Sequence, residues 1–216
     1  MADLDRCIDA FMTVIERQGW HRATLEHTAQ EAGIPVSQLV LTAGNRFDIL
    51  AKFGRRSDII ALRALDSAGA GQSTRDRLFD IIMARFDAHQ PFRGAIRNLS
   101  NASCTDPGLA AFFACQLPRS ISVIADAAGV DVNGLSGMAR VQGLTMLFLS
   151  VTRTWLHDET PDMSRTMAAL DQSLGRAERW CRQWDWRASP RHSAPHPSTG
   201  SHPGAGPHPG EASHPA

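Results

Sequence analysis

Apolar residues recur at helical spacing almost from the start of the chain. Leu4, Ile8, Phe11, Met12 and Ile15 fall on one face of a first helix that stops before Gly19, and Trp20 follows where it can close the core beneath that face. Thr24 is suited to cap a second helix running through Leu25, Thr28 and Ala29 to Gly33, since glycine accepts the left-handed conformation just past a helix end. A third, short helix fits Pro35 to Thr42. Asn45 opens a longer one that carries Phe47, Leu50, Ile59, Ile60, Leu62 and Leu65 as far as Ala68, with Gly54 as its weak point.

Beyond a glycine-rich loop, Ser67 to Gln72, the same period continues. Thr74 to Ala88 places Leu78, Phe79, Ile82, Met83 and Phe86 on one stripe, and further helices are predicted from Phe92 to Ser100 and from Pro107 to Ala127. Pro118 is expected to kink or end the latter, because it lacks the N–H that the ladder needs. Met138, Val141, Thr145, Phe148, Thr152 and Trp155 then recur at spacings of 3, 4, 3, 4, 3, and Met163, Met167, Leu170, Leu174, Ala177, Cys181 and Trp184 at 4, 3, 4, 3, 4, 3. Such seams suit close-packed helices of a bundle. The earlier of the two helices also carries Leu144, Leu147, Leu149, Val151 and Leu156, so it needs cover nearly all round, and a second copy of the chain is the natural cover. Met138, Val141, Thr145, Phe148, Met167, Leu170 and Leu174 are therefore the expected dimer interface. No stretch alternates long enough for a strand, and the expected fold class is all-α with about nine helices.

Composition changes this picture mainly at the C-terminus. From Ala188 to Ala216 the chain has seven of its 12 prolines and five of its nine histidines, with no apolar side chain larger than alanine apart from proline. This stretch cannot bury enough surface to fold and reads as a disordered tail. His196, His202, His208 and His214 recur within it, each before a proline, but no cysteine or carboxylate cluster fixes a coordination geometry, so no metal site is expected. The 22 basic residues balance the 22 acidic ones, which excludes the strongly basic chain of a general nucleic-acid binder. Cys7, Cys104, Cys115 and Cys181 are scattered without a C-x-x-C pair and suit reduced, packed thiols. The acidic start, Met-Ala-Asp-Leu-Asp-Arg-Cys, has no positive leader with an apolar run behind it, so no secretory signal is expected. The longest unbroken apolar run, Leu109 to Cys115, is too short to span a bilayer, and a cytoplasmic protein is expected. The folded part shows no nucleophile elbow, no metal-protease pair and no phosphate-cradling glycine pattern, and neither catalysis nor a cofactor is expected.

Three short helices with a turn at Ala32-Gly33-Ile34-Pro35 form the arrangement of a helix-turn-helix, whose third helix enters the major groove of DNA. The run from Ala10 to Phe53, AFMTVIERQGWHRATLEHTAQEAGIPVSQLVLTAGNRFDILAKF, resembles the DNA-binding domain of TetR-type transcriptional regulators. The resemblance implies a helix-turn-helix domain over residues 1–46, a ligand-binding and dimerisation domain over 47–187, and a tail over 188–216. It assigns Thr24 and Arg46 to phosphate positioning, and Ser37, Gln38, Leu41 and Thr42 to the groove of a double-stranded operator. Gln38 can bond adenine N6 and N7, whereas Leu41 offers apolar contact to a thymine methyl. The chain departs from the family where an aromatic-rich Leu-Tyr-x-x-Phe usually ends the recognition helix, having Leu39, Val40, Leu41, Thr42 and Ala43 instead. Residues 1 to 60 hold seven Lys/Arg against eight Asp/Glu, which predicts a shallow salt dependence.

The resemblance also implies release from the operator by a small apolar or amphipathic ligand, with Met83, Phe86, Phe112, Phe113, Met146 and Phe148 as the candidate pocket lining. A rival reading rests on Arg75-Asp76-Arg77-Leu78-Phe79-Asp80 and on WLHDETPDMSRTMAALDQSL, from Trp155 to Leu174. These are similar to the lipid-binding accessory proteins of ubiquinone biosynthesis, a TetR-like branch, which would make the helix-turn-helix a degenerate one and the ligand a lipid or quinone. Asp158, Thr160 and Asp162 around Pro161 equally suit ordinary helix-stop and helix-start chemistry. Trp180, Trp184 and Trp186 among arginines raise peripheral membrane contact as a further possibility, with bundle packing as the plainer account.

Overall fold

The computed structural model describes residues 2–66 and 71–182, with side chains described for residues 3–66 and 71–179. The interior of the glycine-rich loop, the side chains of Trp180 and Cys181, Trp184, Trp186 and the histidine-proline tail lie outside the described residues. Among the described residues there are nine α-helices and no strand: α1 (Ala2–Gln18), α2 (Leu25–Ala32), α3 (Val36–Ala43), α4 (Arg46–Leu62), α5 (Thr74–His89), α6 (Arg93–Ala102), α7 (Pro107–Ala127), α8 (Gly134–Leu156) and α9 (Ser164–Arg182). Short 3-10 turns at Trp20–Arg22, Arg63–Leu65 and Gln90–Phe92 join some of them. The all-α expectation and the helix number both hold.

Apolar side chains gather into two cores. The first contains Ile8, Phe11, Met12 and Ile15 of α1, Trp20, Leu39 of α3 and Ile49, Leu50 and Phe53 of α4, and it also takes in Ala95, Leu99 and Ala102 of α6 and Leu109 of α7. The second joins α5, the C-terminal half of α7, α8 and α9 through Leu78, Ile81, Phe86, Ile121, Ile124, Leu144, Phe148, Trp155, Leu170 and Leu174.

Helix α6 grips helix ends on both sides. Asn98 Nδ2 donates to the carbonyls of Ile15 (3.0 Å) and Glu16 (3.1 Å) in the last turn of α1. Arg93 donates to the carbonyls of Trp155 and Asp158, and Arg97 to that of Leu156 at 2.5 Å, at the end of α8. The carbonyls of Ile15 and Trp155 also accept the N–H groups of Gly19 (2.9 Å) and Asp158 (3.1 Å), so α6 adds a second donor there, while those of Glu16 and Leu156 gain a donor at helix ends, where carbonyls run short of intrahelical partners.

Of the two outcomes expected at Pro118, a kink or an end, the end does not occur, since α7 continues to Ala127. The expectation from the unbroken apolar run does change: with a mean hydropathy of 1.4, α7 is the one described helix long and apolar enough to cross a membrane. The unbroken-run criterion missed it because Gln116 and Arg119 interrupt a stretch that is apolar on average. The predicted dimer seam, in turn, is largely consumed within one chain. Val141, Thr145, Phe148, Leu170 and Leu174 are at most 9% exposed, because α8 and α9 of the same chain pack together, with α5 against α9 and α7 against α8. Met138 stays exposed and Met167 half-buried. The surface that is left open on α8 keeps Met138 of that seam but otherwise runs along Leu135, Met146 and Leu149.

Candidate functional site

The N-terminal trihelix is built by its caps. The side chain of Thr24 accepts the His27 N–H at 3.2 Å and so fixes the start of α2. At the other end Gly33 adopts φ 66°, which lets the Ile34 N–H reach back to the Ala29 carbonyl at 3.0 Å and turns the chain sharply into α3. Asn45 and Asp48 form a reciprocal capping box at the start of α4: Asn45 Oδ1 accepts the N–H groups of Phe47 (2.8 Å) and Asp48 (3.1 Å), and Asp48 Oδ2 accepts that of Asn45 (2.9 Å). Gly44, at φ 82°, makes room for that carboxylate, since a Cβ there would lie 2.5 Å from Asp48 Oδ2. The starts of α2 and α4 line one shallow groove through Thr24, Leu25, Asn45, Arg46 and Phe47.

Burial of Leu39 and Ala43 sets the rotation of α3 and turns Val36, Ser37, Gln38, Val40 and Leu41 to solvent, with Thr42 half-buried. Leu41 is 88% exposed. The structure thus brings the six residues predicted for DNA contact onto the start of α2, the outer face of α3 and the start of α4. Arg46 is less free than the sequence implies. Its guanidinium lies 4.3 Å from the Trp20 ring centroid and donates to the carbonyls of Trp20 (3.2 Å) and Ala23 (3.3 Å). The single lysine, Lys52, donates to the Ala43 carbonyl at 2.8 Å and caps α3. Arg17 pairs with Glu31, and Arg56 with Asp5 and Asp9.

Trp20 ties this unit to α7. Its indole N–H donates to Asp106 Oδ2 at 2.8 Å, and Asp106 also caps α7 by accepting the Leu109 N–H. The Leu109 backbone bond, helped by the Trp20 one, holds the Asp106 carboxyl below its ordinary range. Rings continue the link from Trp20 to Phe47 (5.4 Å between centroids) and from Phe47 to Phe112 (5.2 Å).

The six predicted pocket residues are not brought together. Phe86 stacks on Phe148 at 5.4 Å within the second core, Met83 packs against that core, Phe112 and Phe113 pack against the first, and Met146 is 59% exposed. All six lie on apolar stripes, but spacing along a helix does not say which neighbour a stripe meets.

What sequence reasoning missed is a polar group inside the second core. Arg85, 3% exposed, donates to Asp58 and to Ser120 Oγ (2.6 Å), while Ser120 donates to Asp58 at 2.8 Å. One turn on, His89 stacks on Phe53 at 5.4 Å and lies 6.2 Å from Trp155. Burial, with a smaller push from the Arg85 charge, lowers the His89 pKa well below its ordinary value and keeps the ring neutral. The nitrogens Arg85 Nε, His89 Nε2 and Trp155 Nε1 are buried without a protein partner. A signal existed, since Arg85 and His89 fall four and seven residues after Ile81 and Ile82 on the buried stripe of α5. Asp158 is buried too. Desolvation opposes its charge, but the hydroxyl and N–H donors of Thr160 and Thr166 outweigh that and hold its carboxyl well below the usual range. Among the described residues, no group of three His, Cys, Asp or Glu side chains is placed to hold a metal ion.

This architecture, a capped trihelix under a helical bundle, is the fold of the TetR-type transcriptional regulators. A TetR transcriptional regulator from Nitrosomonas europaea superposes with a TM-score of 0.67 at 18% identity, over 81% of this chain and 97% of the other. A TetR transcriptional regulator from Rhodococcus sp. RHA1 gives 0.56 at 14% identity, over 82% and 95%. A TetR-like regulator from the same source gives 0.50 at 15% identity, over 82% and 96%. No protein-family model matches the sequence, and no curated protein does either.

Proposed function

We propose that this chain is a dimeric, non-enzymatic DNA-binding transcriptional regulator of the TetR type, acting in the cytoplasm. The observation that carries the reading is the common placement of Thr24, Arg46 and the outer face of α3. Two helix N-termini, each with a positive dipole end, border one groove beside a helix whose rotation is fixed by Leu39 and Ala43. In this reading Thr24 and Arg46 position phosphates, and Ser37, Gln38, Leu41 and Thr42 face the major groove. Residues 1–46 form the DNA-binding domain, and the bundle after them dimerises and takes the effector.

In this reading the dimer uses the open stripe of α8, Leu135, Met138, Met146 and Leu149, with Val123 of α7, all of them exposed in the single chain. Met146→Arg is expected to give monomers by light scattering at micromolar concentration, with the helical signal retained. An effector bound near Arg85, His89 and Trp155 would meet buried nitrogens without partners, which favours a molecule with acceptor groups over a purely apolar one.

The test is enrichment of sheared genomic DNA on the purified protein at about 0.15 M salt, where nonspecific electrostatic binding is weakened. A pseudo-palindromic site is the expected product, and Gln38→Ala should alter its sequence preference. One observation favours the second reading, a lipid- or quinone-binding accessory protein: four of the seven Lys/Arg in residues 1–60, Arg46, Lys52, Arg17 and Arg56, are engaged within the chain, which reduces the charge left for phosphates. A folded dimer that enriches no DNA and releases a lipid or quinone on organic extraction would establish that alternative.

A further inference from the structure

Residues 32 to 45, which include all of α3, carry no ionisable side chain. The solvent face of α3 is instead apolar and amide-bearing: Leu41 is 88% exposed, Val40 46% and Val36 41%, with Ser37 and Gln38 exposed between them. The burial of Leu39 and Ala43 on the opposite side, the Lys52 cap on the Ala43 carbonyl and the turn at Gly33 hold that face outward.

We propose that α3 reads A·T pairs, with Leu41 and Val40 covering thymine methyl groups and Gln38 bonding adenine, so that the operator half-site is defined by thymines. The inference rests on the regulator reading given above and adds the chemistry of the site read. The edge of guanine in the major groove offers two acceptors that are best met by arginine or lysine, and cytosine offers a donor that suits a carboxylate. Helix α3 has none of these. The C5 methyl of thymine is the one apolar projection in the groove, and it is the part of a base edge against which an exposed leucine buries the most apolar surface. Gln38, three residues before Leu41 on the same face, supplies the donor and acceptor pair that fits adenine N6 and N7. Phosphate contacts from the groove shared by α2 and α4 would fix the register without adding base preference.

The experiment is selection from a random-sequence duplex library on the full-length protein, followed by binding to the best site with single thymines replaced by uracil. Uracil removes the methyl and leaves every base-pairing and groove hydrogen-bonding group in place. At the contacted positions the expected loss is about fourfold per methyl, the equivalent of about 0.8 kcal/mol for a buried methyl-sized group. In Leu41→Ala the same replacement should cost less than twofold at one of those positions, and this variant should fold unchanged because the side chain it removes is exposed. An enriched motif dominated by G·C pairs, or one indifferent to uracil, overturns the proposal and leaves the regulator reading standing. A folded dimer that enriches no motif overturns both.

Discussion

The two cores are held by different physics. The N-terminal one is closed by Ile8, Phe11, Ile15, Trp20, Leu39 and Phe53, and its polar bonds sit at helix ends on the periphery. The core of the bundle has its polar groups inside: Arg85 with Asp58 and Ser120, neutral His89, and Asp158 gathering four donors from Thr160 and Thr166. The first arrangement makes stability depend on volume and shape. The second makes it depend on partners and on pH.

Removing one partner of the buried pair should have the largest effect. Arg85→Met leaves the Asp58 carboxylate with little water and one hydroxyl donor, and is expected to cost about 3–5 kcal/mol in urea unfolding. Arg85→Met with Asp58→Leu should recover most of that loss, and failure to recover it would mean that packing rather than charge dominates there too. Leu109→Ala, fully buried in the N-terminal core although it belongs to α7, should cost about 2–5 kcal/mol. No second polar substitution is expected to offset it.

Acid should separate the cores further. The folded-state pKa of His89 lies below its unfolded value near 6.5, so the unfolded chain binds more protons as pH falls below about 6.5. Stability should therefore be full above that pH and decline below it, by up to about 1.4 kcal/mol per pH unit for one proton. His89→Phe should flatten this limb. Asp158 acts at lower pH. Its depressed pKa gives a contribution present above about 4 that is lost as pH falls toward its folded value, a loss that His89→Phe should leave in place. The smallest effect belongs to Thr24→Ala, about 1 kcal/mol for loss of the α2 cap. A far larger change in DNA binding than in stability would assign the hydroxyl to phosphate as well.

The trihelix was legible because its determinants are local. Thr24, Gly33 and Asn45 act on residues within five positions, and the stripe of α1 has one possible use. What stayed hidden depends on which elements meet. The 3–4 spacing of α8 and α9 correctly marks a buried stripe, yet the same spacing suits a partner helix from either chain, and here α9 of the same chain takes it. Phe86 with Phe148 and Phe112 with Phe113 read alike in sequence, and only the bend of the chain sends them to separate cores. Arg46 reads as a free cation until Trp20, 26 residues earlier, folds beneath it.

The composition of the N-terminal core also sets a timetable for biosynthesis. Its last fully buried apolar member, Leu109, is encoded 56 positions after Phe53, the last that α4 contributes. At about 5–20 residues per second the nascent trihelix waits about 3–11 s with the surface later covered by Ala95, Leu99, Ala102 and Leu109 still wet. For that interval the emerging chain presents an apolar face to whatever is near the ribosome, and the closing of α6 over α1 is the event that ends the exposure.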